Sequence, residues 1–239
     1  MLYDITLPLT PATPPIPGDP AFSRRLVLDH PADGCEVAEL RLSAHSGTHL
    51  DFPAHFFPDG KRAGDYPAER FLLPALVVDA GPNLALGPDL LDGVATLPGE
   101  ALLFRTRNSE TGSFRGPDFP ETFAALTPDL ARECVRREIS LVGLDALSVE
   151  PLTDPAYPVH HILLGAGVLI LEGLDLRLAP LGRATLCCLP LAMPDAEASP
   201  VRAVLLPPSA CRSVKTETAP VGAPRRKADG SAERHRGPA

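Results

Sequence analysis

Proline punctuates this chain more heavily than any other residue constrains it: 29 of its 239 residues are proline. Each one locks φ near −65° and removes a backbone N–H, so helices and central strands are interrupted wherever one falls. The chain must fold from short elements joined by many turns. Short apolar runs bounded by Gly, Pro or Asp read as buried strands at 73–79, 101–106, 141–145, 168–172, 185–191 and 202–206. Residues 38–42 alternate Ala38, Leu40 and Leu42 with Glu39 and Arg41, the period of a half-buried strand. The clearest helix runs from Thr127 to Arg137. Thr127 suits the N-cap and Pro128 the first helical position, with Leu130, Cys134 and Val135 on the inner face. A further helical turn is expected at His160–Leu164. Several strands with two or three helices predict an α/β domain, a mixed sheet core with few helices.

One domain is expected over residues 1–208. From 209 to 239 apolar periodicity stops and Pro, Gly, Ala, Lys and Arg dominate, which predicts a disordered basic tail. That tail carries seven Lys/Arg against three Asp/Glu, so the chain's net −8 divides into +4 on the tail and −12 on the body. An acidic body argues against nucleic acid as the partner. The longest uncharged apolar run, Ile162–Leu171, is about half of the roughly 20 residues a spanning helix needs, so no membrane partner is expected. The first residues have neither a basic nor an apolar leader region. Five cysteines without paired spacing predict reduced thiols and a cytoplasmic protein.

Chemistry concentrates in A-H-S-G-T-H-L-D-F-P-A-H-F. His45, His49, Asp51 and His55 fall within eleven residues among Leu50, Phe52, Phe56 and Phe57. A single histidine there would be an ordinary loop or core residue. Three with an aspartate in apolar surroundings would be costly to bury without a cation. A strand meeting a Gly-containing turn would let His45 and His49 converge, and His49 and Asp51, two apart, face one way in an extended segment. Imidazole with carboxylate suits Zn²⁺, Mn²⁺ or Fe²⁺ better than Mg²⁺ or Ca²⁺. A second group, His160, His161 and Glu172, lies far along the chain. Glu172 ends an aliphatic run, where it either turns to solvent or meets a cation. Asp51 and Glu172 together could bridge two metal ions, an arrangement used to activate water for hydrolysis.

The pattern H-x-G-T-H-x-D-x-P-x-H-F, here His45–Phe56, resembles the signature of the cyclase-like metal hydrolase family. Supporting segments are P-G-D at 17–19, L-V-G-L-D at 141–145, H-H and I-L-E-G between 160 and 173, and A-S-P-V-R-A-V-L at 198–205. The resemblance covers roughly residues 3–206 and is strongest to the bacterial kynurenine formamidases (arylformamidases). It implies a swivelling β/β/α fold, a homodimer, and two Zn²⁺ per subunit, with Mn²⁺ as an alternative. It implies His45, His49 and Asp51 on one ion, and Asp51, His160 and Glu172 on the other. His55 takes the acid/base position, or serves as a third imidazole on the first ion. The implied activity is hydrolysis of an aryl formamide, N-formyl-L-kynurenine, to L-kynurenine and formate. Two departures bear on the substrate. Ile16 stands before P-G-D where these formamidases usually carry Trp, and the stretch Asp145–Ser148 is looser than the usual D-x-P-S. Ile16 favours a sister activity such as isatin hydrolase or a related amidase, whereas A-S-P-V-R-A-V-L favours the formamidases. A non-catalytic metal-binding protein on the same fold would be expected to lack a ligand, and none is missing.

Overall fold

A computed structural model of the chain describes residues 1–207. The expected tail from 209 to 239, with Cys211, lies outside the described residues. In chain order the strands are β1 (Tyr3–Asp4), β2 (Ser23–Leu28), β3 (Val37–Arg41), β4 (His49–Asp51), β5 (Leu72–Asp79), β6 (Ala85–Leu86), β7 (Ala101–Arg105), β8 (Ala125–Leu126), β9 (Leu141–Leu144), β10 (Leu169–Glu172), β11 (Gly182–Cys187), β12 (Ala198–Pro200) and β13 (Val204–Leu206). The α-helices are α1 (Arg107–Thr111), α2 (Pro128–Arg136) and α3 (Pro158–Gly165). Nine strands form one mixed sheet in the order β1-β13-β11-β5-β7-β9-β10-β4-β12. Its centre, β5-β7-β9-β10, is parallel, and antiparallel strands extend it on both sides.

The central strands are apolar up to their C-terminal residues, Asp79, Arg105 and Glu172 on β5, β7 and β10, because both faces are covered. Along β7, Leu102 and Phe104 enter one core while Ala101 and Leu103 enter the other. β10 divides likewise, with Ile170 on one side and Leu169 and Leu171 on the other. The Ile170 side is covered by α2 and α3, through Leu130, Ala131, Cys134, Leu163 and Leu164. The opposite core contains Leu50, Phe52, Phe71, Leu186 and Leu205. Helix α2 forms as its sequence predicts: the Thr127 hydroxyl accepts the Leu130 N–H at 3.3 Å, and Pro128 opens the helix.

Three local expectations shift. The alternating stretch at 38–42 is a strand, β3, but it pairs only with β2 in a separate ribbon. Leu40 is 57 % exposed, since a ribbon with no layer packed on it has no buried face to alternate against. The strand expected at 185–191 is β11, which begins earlier and ends at Cys187. Cys188 donates its N–H to Phe71 instead, and Pro190 breaks the ladder beyond it. The strand expected at 202–206 is confined to β13, because the Ala203 N–H is taken by the Thr6 hydroxyl at 3.0 Å.

Candidate metal centre

Strand β4 is wedged between β10 and β12, and its register sets the site. His49 pairs with Glu172, and Asp51 with Ile170. Residues paired across a ladder, or two apart along a strand, share a face. His49, Asp51 and Glu172 therefore all project towards the layer that holds α3. From that layer His160 points back at them, its Nε2 3.5 Å from Glu172 Oε1 and 3.9 Å from Asp51 Oδ2.

The turn before β4 delivers His45. Gly47 takes φ +64° there, and the Ser43 N–H donates to the Ser46 hydroxyl at 3.0 Å. The Thr48 hydroxyl donates to Gly173 O at 2.5 Å and accepts the Leu7 N–H at 2.8 Å. Thr48 thus ties the turn to the end of β10, while Ser46 bonds back to Ser43 within the turn; neither hydroxyl bonds to the cluster. Gly173, at φ +67°, makes that approach possible: a Cβ there would lie 2.3 Å from Gly47 O. His45 Nδ1 ends 2.9 Å from Asp51 Oδ1, though without the alignment of a hydrogen bond.

Buried polar atoms are normally hydrogen-bonded, yet Asp51 Oδ1, Asp51 Oδ2 and His49 Nε2 have no such partner among the described residues. His49 Nδ1 lies 2.9 Å from Gly47 O, which orients the ring so that Nε2 faces Glu172 Oε2 at 3.2 Å. One donor atom each from His49, Asp51 and Glu172 lie within 4.8 Å of one another. So do one each from His45, Asp51 and His55. Asp51 belongs to both groups. A fully buried carboxylate with unbonded oxygens, ringed by imidazoles and a second carboxylate, fits a divalent cation in ligand type and in electrostatic need.

The electrostatics agree. Burial disfavours a charged His49, but Asp51 and Glu172 outweigh it and raise the imidazole to about 9. Burial is likewise overcome at His160, where the Glu150 contact and Glu172 raise it to about 10. Burial works against ionisation of Asp51, yet the surrounding imidazoles His45 and His49 hold it well below the usual carboxylate range. The buried carboxylates thus favour positive charge beside them, which protons on His49 and His160 or a bound cation can supply. His55 behaves oppositely: burial lowers it below the ordinary histidine value.

His55 closes a short 3₁₀ turn, Pro53–His55, and its ring lies 4.2 Å from that of His45 and 6.0 Å from that of His160. It opens onto a cavity of about 360 Å³ with Ile16, Asp19, Phe56, Tyr157 and His160 in its walls. His45 and Glu172 also reach this space. The structure therefore gathers His45, His49, Asp51, His55, His160 and Glu172 in one place, with Ile16 at the cavity wall. His161 stays exposed, packing edge-on against Phe56 and Phe57 at 5.0 and 5.4 Å.

Sequence reasoning missed Glu150. It is buried, accepts the Val159 and His160 N–H groups at 2.9 and 3.0 Å, and lies 2.6 Å from His160 Nδ1. Its only signal was an acidic residue between Val149 and Pro151, in a loop that also carries Asp145, Ser148 and Asp154. Tyr157 was missed as well; an isolated Tyr before Pro carries no pattern.

The family model described as "Putative cyclase" matches residues 3–151, well over half of the chain. The chain belongs to the cyclase family. Its relatives include the kynurenine formamidase of Salinibacter ruber, 37% identical over 207 residues, which covers 85% of this chain and 96% of that protein. The cyclase fold is also seen in the solved structure of a predicted metal-dependent hydrolase from Bacillus stearothermophilus. The likeness has a TM-score of 0.74 at 28% identity and covers 86% of this chain and 97% of that one. Isatin hydrolase A from Labrenzia aggregata shares the fold at a TM-score of 0.72 and 24% identity, over 86% and 93% of the two chains. Among the described residues no helix is long and apolar enough to cross a membrane.

Proposed function

We propose that this cyclase-family hydrolase is an arylformamidase that converts N-formyl-L-kynurenine to L-kynurenine and formate. The observation that carries the chemistry is Asp51: fully buried, unbonded at both oxygens, and reached by donor atoms of two residue groups. The kinship with kynurenine formamidases supports the substrate.

In this reading His45, His49, Asp51, His160 and Glu172 would hold two Zn²⁺ per subunit, or Mn²⁺ in their place, with Asp51 and Glu172 as the carboxylates that would serve both. Such ions, when bound, polarise a carbonyl oxygen and acidify water. The remaining work falls to the chain. Water adds to the formyl carbon, the C–N bond breaks, and the departing aniline nitrogen takes up a proton. His55 is kept neutral near pH 7 by burial, so it can accept a proton from the attacking water and return it to that nitrogen. Ile16 offers the substrate an aliphatic contact. Phe52, Leu50 and the strand ladder behind the cluster exclude water from its rear.

A homodimer accompanies this reading. Its support is the β2–β3 ribbon, which leaves Leu26, Val27, Leu28, Val37 and Leu40 exposed together. A cytoplasmic setting is supported by Cys35, Cys134, Cys187 and Cys188, all free thiols.

The test is turnover of N-formyl-L-kynurenine by the purified chain, followed by kynurenine absorbance with and without prior chelation. Chelator-sensitive turnover on the order of 10 s⁻¹ is expected, the usual enzyme range. A protein holding two equivalents of zinc that leaves this substrate untouched would refute the assignment.

A further inference from the structure

On the arylformamidase reading, on which this inference rests, the cavity must seat an aryl ring beside the formyl group. The chain contains no tryptophan, and the rings of phenylalanine or tyrosine lining the cavity belong to Phe56 and Tyr157. Phe56 is already engaged. It stacks on His160 at 4.8 Å and 26°, and meets His55 and His161 edge-on at 4.6 and 5.0 Å. Tyr157 is half-buried and its aromatic contacts are edge-type only, to Phe56 at 5.6 Å and to His160 at 6.1 Å. Neither contact is a stack.

The backbone of Tyr157 adds an independent observation. It sits at φ 43° and ψ 54°, in the left-handed region. Bulky side chains rarely adopt that region, and a residue directly before a proline is normally extended. Glycine or asparagine would take the position with less strain. The conformation is held locally: the Tyr157 N–H donates to Asp154 O at 3.2 Å, and its carbonyl accepts the His161 N–H at 3.1 Å. Strained positions that retain a bulky side chain cluster where the side chain has work to do.

We propose that Tyr157 is the aryl-contact residue of the site, receiving the substrate's aromatic ring on the loop that enters α3. Ring recognition and the cluster are then coupled through one short segment, because His160 follows Tyr157 by three residues. Ile16 packs against the substrate without selecting for aromaticity.

The experiment compares the metal-loaded full-length protein with Tyr157→Ala, Tyr157→Leu, Tyr157→Phe and Tyr157→Gly variants on N-formyl-L-kynurenine. Loss of an aromatic pair is expected to raise KM roughly 3- to 10-fold in the Ala and Leu variants, with kcat changed less than KM. Tyr157→Phe is expected to restore KM. Tyr157→Gly is expected to raise KM while leaving the melting temperature equal or higher, since it relieves the left-handed backbone. A purely structural tyrosine gives another pattern: Leu and Phe behave alike, and activity falls together with the melting temperature. That pattern, or an unchanged KM in Tyr157→Ala, overturns the aryl contact and leaves the arylformamidase reading intact. Absence of turnover in the unmutated protein overturns both at the level of substrate.

Discussion

Glu150 grips His160 twice: Oε1 accepts the His160 backbone N–H at 3.0 Å and lies 2.6 Å from the same residue's Nδ1. The ring can therefore turn only Nε2 towards Asp51 and Glu172. Carboxylates placed behind a ligating imidazole fix its tautomer and strengthen it as a donor. Glu150 does so while also satisfying the Val159 N–H at the start of α3.

Removing that charge has a measurable consequence. Glu150→Gln keeps an acceptor oxygen for the helix N–H groups but loses the anionic partner of Nδ1. Metal affinity, read by competition with a chromogenic chelator, is expected to fall roughly 10- to 100-fold with the fold retained. Glu150→Ala should in addition lower stability by about 1–3 kcal/mol, because buried N–H groups lose their acceptor.

Asp51→Asn tests the shared carboxylate. The amide presents one acceptor oxygen and no charge where two donor groups converge. Metal analysis is expected to show at most one ion per chain, with circular dichroism unchanged. Two tightly held ions in this variant would refute the shared role.

Proton release gives a pH-dependent signature. With His49 raised to about 9 and His160 to about 10, both are protonated in the metal-free protein at neutral pH. Their folded values lie above the ordinary 6.5, so their contribution to stability is complete below 6.5 and is lost as pH rises through 9 to 10. The melting temperature of the metal-free protein should therefore fall across that window. Metal must displace these protons. Calorimetric titration with zinc in buffers of different ionisation enthalpy should show protons released at pH 7, with the number declining above pH 9.

His55→Ala is expected to keep its metal content and lose about 10²- to 10⁴-fold in kcat, the usual contribution of a positioned acid/base. Burial lowers the His55 value, so the neutral form persists below the ordinary 6.5 before activity drops on the acid side. Full turnover in the metal-loaded variant would remove His55 from proton transfer.

Gly173→Ala tests the crossing of the turn and β10. Its Cβ would press against Gly47 O at 2.3 Å, on a left-handed backbone. A loss of about 1–3 kcal/mol is expected, together with weaker metal binding, since the same contact seats His45 and His49.

Much of this was legible in the residues themselves. The runs at 73–79, 101–106, 141–145 and 168–172 are apolar on both parities up to their polar ends, as strands covered on both faces are, and they form β5, β7, β9 and β10. Thr127-Pro128 announces α2 because capping is local chemistry. His45, His49, Asp51 and His55 were legible because polar side chains of ligand type crowd an apolar segment, and the mismatch shows without coordinates. The alternation at 38–42 misled because periodicity reports that a strand has two faces and not whether anything covers one.

What the sequence alone determined is the inventory and its local geometry: short strands, the capped helix, and a β4 whose period of two turns His49 and Asp51 one way. The tertiary structure decided which distant residues join them. Glu172 comes opposite His49 only because β4 inserts antiparallel beside β10, a register that long-range packing selects. Glu150 and Tyr157 acquire meaning only when the loop before α3 folds over that register. Hydrogen bonds and ring contacts between segments a hundred residues apart depend on the whole core being in place, and no local pattern encodes them.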